Sequence, residues 1–414
     1  MRAQHPTYLA RVSLTRRVAV RSFASQALDL KWLAERDVTA EVGGEANVKR
    51  LRSVSRDFRT DTITIPTDAQ LLAGLRASRG DDVELEDPDT AAFEARVAAL
   101  AGKEAGLLCA SATGSNQLAV RSLFAQPPHS VVVDARAHHF QNEAGGAALF
   151  SQATTHTARP ANGLYLTAED IEPVLQLGDD VHMAPTRLIV LENTMDGVVV
   201  PDDVAWGVRR LADPHGIKMH LDGARAWNAA AAAVLSEGGD GEEGLRTSLS
   251  NICAPFDTAS LCLSKSLGAP LGSVLVGSRE VVARARWFRK MFGGAWRQSG
   301  ALAAAADWAI THHFPRLRYT HELARRLAAG LEAAGCRIVI PVQTSMVFFD
   351  PAAAGIPLGE VEKAARARGI TVRSNRLVVH HQTDPRAVEE LVDLVRGMAA
   401  KAEGPLGEKL RMGH

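Results

Sequence analysis

Short apolar runs alternate with longer helical stretches along most of this chain, and that alternation constrains its fold more than any other feature. Leu107–Cys109, Val131–Asp134, Arg187–Asn193 and Leu261–Lys265 are mostly apolar, and Ile217–Ala224 alternates apolar residues with Lys218, His220 and Asp222. The stretches between them space their apolar residues as helices do, for example Leu118, Leu123 and Phe124 after the first run. A strand buried on both faces reads as a near-continuous apolar run, and strands separated by helices pair in parallel rather than as hairpins. The expectation is an α/β protein with a mostly parallel sheet flanked by helices. In such sheets ligands collect at the carboxyl ends of the strands, so the chemistry is sought there. From about residue 316 the pattern changes. A long helix carrying Leu323, Leu327 and Leu331 ends at Gly335, short strands follow near 337–341, 344–349 and 371–379, and a last helix starts at Asp384-Pro385 with Val388, Leu391, Val392 and Val395 on one face. This predicts a smaller C-terminal α+β domain.

Charge and cysteine content exclude several classes of partner. With 47 basic and 47 acidic residues the formal net charge is zero, so no general field exists to hold nucleic acid or an anionic membrane. No apolar run approaches the roughly 20 residues of a membrane helix, which predicts a soluble protein. Cys109, Cys253, Cys262 and Cys336 are far apart and read as reduced core residues. Residues 1–28 hold Arg2, Arg11, Arg16, Arg17 and Arg21 and no acid before Asp29, the composition of a mitochondrial targeting segment. An extension without an address, in a cytoplasmic protein, is the alternative. The expected organisation is a linker over 29–56, a large domain over 57–315, a small one over 316–400 and a tail over 401–414.

Three strand ends carry chemistry. The run ending at Lys265 turns at once into a glycine-bearing loop, Ser266-Leu267-Gly268. An amine at the mouth of an apolar strand is partly desolvated, which favours the neutral form able to make a Schiff base with an aldehyde. Pyridoxal phosphate is the aldehyde that fits, because Asp222 ends another strand where it can hold a proton on a pyridine nitrogen. The small-residue turn Ser111-Ala112-Thr113 stands between a strand and a helix, where unpaired N–H groups and hydroxyls make a phosphate site. His138 and His139 follow the second run, one of them on a loop facing the cofactor. Paired histidines recur at 312–313 and 380–381 without metal-ligand spacing, so no metal site is expected. The acids of Gly80–Pro88 read as first-turn residues before a helix, the basic helix around Arg284, Arg286, Arg289 and Lys290 as a solvated face, and Glu237–Gly244 as a surface insertion.

From Asp57 to His381 the chain resembles the low-specificity L-threonine aldolases, of the aromatic amino acid β-eliminating lyase/threonine aldolase group among fold type I pyridoxal-phosphate enzymes. The resemblance rests on R-T-D-T-I-T-x-P-T (59–67), G-D-D-V (80–83), E-D-P (86–88), G-K-E-A-G-L (102–107), A-H (137–138), E-A-G-G (143–146), L-E-N-T (191–194), D-G-A-R (222–225), C-L-S-K-S-L-G (262–268), R-K-M-F-G-G-A-W-R-Q-S-G (289–300) and R-L-V-V-H (376–380). It implies Lys265 as the Schiff-base lysine, Asp222 at the pyridine nitrogen, His138 stacked on the ring, and phosphate contacts from Ser111, Ala112 and Thr113. It also implies Thr60, Arg225 and Arg376 near the substrate carboxylate, and Arg297 approaching a site in a neighbouring subunit of a homodimer or homotetramer. The implied reaction cleaves the Cα–Cβ bond of L-threonine-like β-hydroxy amino acids to glycine and an aldehyde, with His138 or a water as base. The alternatives are racemisation of a small amino acid such as alanine or β-elimination, both starting at the α-proton, and a non-catalytic homologue. Three departures stand out: Ala112 where the family has glycine, Glu84-Leu85 where many members have tyrosine and glycine, and Met195 where many have histidine.

Overall fold

The computed structural model describes residues 37–236 and 242–403. The proposed targeting segment, most of the tail and residues 237–241 of the proposed insertion lie outside them. A seven-stranded sheet is formed by β1 (Ala105–Cys109), β2 (Ser130–Asp134), β3 (Thr154–Ala158), β4 (Thr186–Glu192), β5 (Lys218–Gly223), β6 (Thr258–Cys262) and β7 (Ser273–Gly277), in the order β1-β7-β6-β5-β4-β2-β3. The run β3-β2-β4-β5-β6 is parallel, and β7 is antiparallel to both its neighbours. Only Leu263 to Gly272 separate β6 from β7, too little chain for the crossover of a dozen or more residues that a parallel return needs. The sheet is therefore mostly parallel, as the alternation predicts. β3 was not legible because it is a polar edge strand, Thr-Thr-His-Thr-Ala, with only Ala158 buried.

Helices cover the sheet. Helix Ala112–Leu123 lies across it and packs on β5, β6 and β7, while helices Pro88–Leu100, Ala226–Ser236 and Gly300–His313 share the largest core with Ile189, Leu221, Leu261 and Val274. The four cysteines are buried and unpaired. Among the described residues no helix is long and apolar enough to cross a membrane.

The C-terminal unit is a three-stranded antiparallel sheet, β8 (Arg337–Ile338), β9 (Met346–Asp350) and β10 (Arg376–Val378), with β9 in the middle. Helices Leu317–Ala333 and Pro385–Glu403 bury Leu323, Leu327, Leu331, Leu391 and Val395 with Val347 and Phe349.

One expectation is corrected at the N-terminal side. The described part of the 29–56 linker is ordered: Val38–Glu41 forms a short turn of helix and Glu45–Val54 a helix whose Leu51 and Val54 are buried. Its apolar stripe is just Val48, Leu51 and Val54 among charged neighbours, too thin for periodicity to show. The chain then enters the small domain. Phe58 donates its N–H to Thr371 O at 3.0 Å, Thr371 donates to Arg56 O at 2.9 Å, and the Phe58 ring is fully buried in the C-terminal core.

Candidate active site

The loops at the carboxyl ends of β1, β2, β4, β5 and β6 meet in one place, because parallel strands point those ends the same way. β6 ends at Cys262 and Lys265 follows on the turn, half-buried, its carbonyl accepting hydrogen bonds from Gly268 N (2.9 Å) and Thr64 Oγ1 (3.3 Å). Its positive charge favours the ionised carboxylates of Asp61 and Glu192 and opposes protonation of His138.

Asp222 near the end of β5 is only 1 % exposed. Its carboxylate accepts from Asn116 Nδ2 (2.8 Å) and from Ala224 N (3.0 Å), both neutral donors. A buried carboxylate is stable when it also meets a cationic donor, and a protonated pyridine nitrogen is one. At the opposite end of the site, helix Ala112–Leu123 starts with Ser111 as its cap, Oγ accepting from Gly114 N at 3.0 Å. Ser111 is exposed and Ala112 and Thr113 are half-buried, so the first N–H groups and hydroxyls are open to an anion. Ala112 is the first helical residue and is not among those with positive φ, so its Cβ causes no strain. Buried carboxylate, strand-end lysine and open helix N-terminus fit pyridoxal phosphate.

His138 opens a short helix after β2. Its N–H donates to Glu192 Oε2 at 2.9 Å, and its Nδ1 lies 3.0 Å from Glu143 Oε1, which leaves Nε2 as the nitrogen free for chemistry. The Glu143 hydrogen bond raises the His138 pKa against the opposing effect of burial. Glu143 itself is 3 % exposed and receives Asn116 Nδ2 (2.8 Å) and Gln117 Nε2 (2.6 Å) as well as His138, with His139 Nδ1 3.3 Å away. Burial pushes its carboxyl up, yet these donors hold it down at about 2. Glu192 is different. It ends β4 in register with Asp222 of β5, and burial together with the Asp222 charge pushes it up to about 7. Ligand atoms of His138, Glu143 and Asp222 lie within 4.8 Å of one another. The Asn116 amide donates to both carboxylates, so a hydrogen-bond donor stands where a cation would bridge them.

The residues expected at the substrate carboxylate divide. Arg376 is half-buried, and among the described residues it has no carboxylate partner, only a 3.5 Å contact from Nη2 to Arg59 O beside Thr60. Thr60 caps the turn Asp61–Ile63, its Oγ1 accepting from Thr62 N at 3.2 Å. Arg225 is committed elsewhere: Nε and Nη2 grip the fully buried Asp61 at 3.0 and 2.7 Å. Burial pushes Asp61 up, but Arg225, Lys265 and a 2.9 Å hydrogen bond from Ser266 hold it at about 2.

Two further expectations are corrected. The acids of Gly80–Pro88 are mainly ion-pair anchors: Asp81 holds Arg297 Nη1 at 2.8 Å, Asp82 holds Arg289 and Arg286, and only Asp87 caps the next helix. Correspondingly the basic helix Arg279–Met291 is solvated only in part: Arg284 and Lys290 are exposed, whereas Arg289 is 3 % exposed and Arg286 Nη2 meets Glu94 at 2.7 Å. Arg297 has Asp81 as its partner within the chain and is otherwise exposed. Leu85, standing in for a glycine, adopts φ +60°, the left-handed region where side chains cost about 1 kcal/mol or more. Met195 is 4 % exposed in an apolar cluster with Val133, Ala137 and Val190. Asn116, Glu143, Glu192 and Asp61 were not singled out from sequence, although the last three lie inside the motifs quoted above.

The profile of the beta-eliminating lyase family matches residues 57–354. The chain belongs to this family. Within its wider kinship, the chain is 45 % identical over 340 residues to a probable low-specificity L-threonine aldolase of Schizosaccharomyces pombe, covering 82 % of this chain and 86 % of that one. It is 35 % identical over 346 residues to the alanine racemase TOXG of Cochliobolus carbonum, covering 82 % and 86 %. Among solved structures, a Leishmania major threonine aldolase superposes with a TM-score of 0.69 over 83 % of this chain and 99 % of that one; at 19 % identity this speaks for the fold. The family's architecture is the fold type I sheet described above.

Proposed function

We propose that this chain is a pyridoxal-phosphate-dependent lyase that cleaves the Cα–Cβ bond of L-threonine, L-allo-threonine and similar β-hydroxy amino acids to glycine and an aldehyde. The observation that carries the reading is the His138–Glu143 pair standing beside Asp222 and Lys265, a base with one nitrogen fixed and the other open. When bound, pyridoxal phosphate supplies a protonated ring that takes up the electron pair left at Cα. Lys265 would be the amine that holds the cofactor between turnovers, and Asp222 would keep its ring nitrogen protonated. Ser111, Thr113 and the N–H groups at the start of helix Ala112–Leu123 would receive its phosphate. Arg376, with no carboxylate partner among the described residues, takes the substrate carboxylate with Thr60 beside it, while Arg225 is neutralised by Asp61 and acts only by fixing that buried carboxylate. His138 Nε2 removes the β-hydroxyl proton. Glu143 keeps Nδ1 protonated and the ring oriented, which makes Nε2 the stronger base.

A second reading works at the α-proton, as a racemase does. It is favoured by the TOXG relative and by Met195, whose thioether cannot take a proton. A product assay with L-threonine, L-allo-threonine, L-phenylserine and L-alanine separates the two. Glycine and aldehyde from the first three are expected; fast α-deuterium loss from L-alanine with no aldehyde from any substrate overturns the lyase reading. A homo-oligomer in which Arg297 reaches a neighbouring site, and mitochondrial targeting by residues 1–28, complete the proposal.

A further inference from the structure

We propose that Asn116, oriented by His220, is a positioning residue that holds the carboxylates of Glu143 and Asp222 in place with one amide group. The inference rests on the lyase reading for what the two carboxylates do, though the network itself is independent of it. Asn116 is fully buried, and its Nδ2 lies 2.8 Å from Glu143 Oε1 and 2.8 Å from Asp222 Oδ2. Both carboxylates only accept, so the amide hydrogens face them, one each. That leaves Asn116 Oδ1 pointing at His220 Nε2, 3.0 Å away, which therefore carries the imidazole hydrogen. His220 Nδ1 is then an acceptor and receives the Thr258 hydroxyl at 2.8 Å. A single pattern satisfies every group from β6 through β5 to helix Ala112–Leu123. Flipping the amide would set its oxygen against two carboxylates.

His220 suits this role because burial, with His139 adding to it, pushes its pKa down to about 3. A neutral imidazole has one hydrogen, and the Asn116 amide oxygen, which only accepts, fixes it on Nε2 and leaves Nδ1 to the Thr258 hydroxyl. Asn116 in this way couples the two halves of the chemistry: through Glu143 it sets the ring of His138, and through Asp222 it sets the group that meets the pyridine nitrogen. Asn116, His220 and Thr258 are all fully buried. Their effect is on turnover rather than on amino acid binding.

The test compares wild type, Asn116→Ala, His220→Leu and His220→Gln. Glutamine keeps a donor where His220 Nε2 stands; leucine does not. In the apoprotein the Glu143 carboxyl is followed by 13C NMR against pH. Loss of one charge-assisted hydrogen bond raises its midpoint by about one pH unit in Asn116→Ala and His220→Leu, with His220→Gln close to wild type. In the holoenzyme the first two lose about tenfold in kcat on L-threonine with KM changed by less than about threefold, as expected for about 1.4 kcal/mol of lost positioning. An unmoved Glu143 titration in Asn116→Ala, a KM effect at constant kcat, or leucine and glutamine behaving alike at 220 overturns the assignment. If His220→Leu fails to fold, Asn116→Ala alone decides. A shifted apoprotein titration with no aldehyde formed by wild type upholds the Asn116 role and overturns the lyase reading, so the two failures are told apart.

Discussion

Glu143 and Glu192 both contact His138, the first buried and the second half-buried, and end up with opposite acidities. Glu143 accepts side-chain hydrogen bonds from Asn116, Gln117 and His138 and sits at about 2. Glu192 accepts one backbone N–H, from His138, and faces the Asp222 carboxylate across the strand pair, which leaves it at about 7. Burial acts upward on both, so burial does not separate them. What separates them is the number of donors turned toward one and the like charge turned toward the other. One is a fixed anion that orients a base. The other is a carboxyl that exchanges its proton near neutral pH, within a strand's width of the ring-nitrogen site.

Asp222→Asn would break the comparison most severely. It removes the charge that keeps the pyridine nitrogen protonated, so turnover should fall by about 10²- to 10³-fold with cofactor still bound. It also removes the like charge beside Glu192, whose pKa should drop toward 4.5, read from its carboxyl 13C titration. Near-normal turnover in this variant would reduce Asp222 to a turn cap.

Glu143→Gln has the next largest effect, about tenfold in kcat. It keeps the shape but lowers the His138 pKa, so the acid limb of the kcat profile should move to lower pH. It also alters acid stability. The folded-state pKa of Glu143 is depressed from 4.5 to about 2, so its stabilising contribution is present above 4.5 and is lost as pH falls through 2. The variant lacks that contribution, and its urea midpoint should fall less than that of wild type between those values. An unchanged acid limb would show that Glu143 does not govern His138.

Glu192→Gln sharpens the contrast with the smallest effect, and with the opposite sign. Its folded-state pKa is raised from 4.5 to about 7, so the wild-type contribution is full below 4.5 and is lost as pH rises through 7. The variant escapes this loss and should gain stability over wild type across that window in urea titrations at pH 4.5 and 8. Equal midpoints at both pH values would put Glu192 in the same class as Glu143.

Much of this site could be read from the chain before folding. Lys265, Asp222, His138 and the Ser111–Thr113 turn each stand at the end of an apolar run, and strand ends are where an α/β sheet gathers ligands. The long helices of the C-terminal unit were equally plain. Asn116 was not, because nothing about an asparagine inside a helix announces that it faces carboxylates from two other units. Arg225 looked like a free cation for the substrate until Asp61, 164 positions away, was found to hold it. Arg286 and Arg289 of helix Arg279–Met291 looked solvated for the same reason: their acids, Asp82 and Glu94, lie about 200 positions away along the chain. Met195 was legible as a departure, but its packing against Val133 and Val190 was not.

The sequence by itself determined the layered α/β architecture, since burial period and helix spacing are local properties that the order of apolar residues dictates. It also placed the lysine, the aspartate and the anion-binding turn, because their meaning depends on which end of a strand they occupy. The tertiary structure alone decided which acids are fixed anions and which exchange protons, and which arginines are spoken for. Those outcomes depend on donors and charges brought within about 3 Å from segments distant along the chain, and only a folded sheet that aligns β4, β5 and β6 sets Glu192, Asp222 and Ser260 side by side.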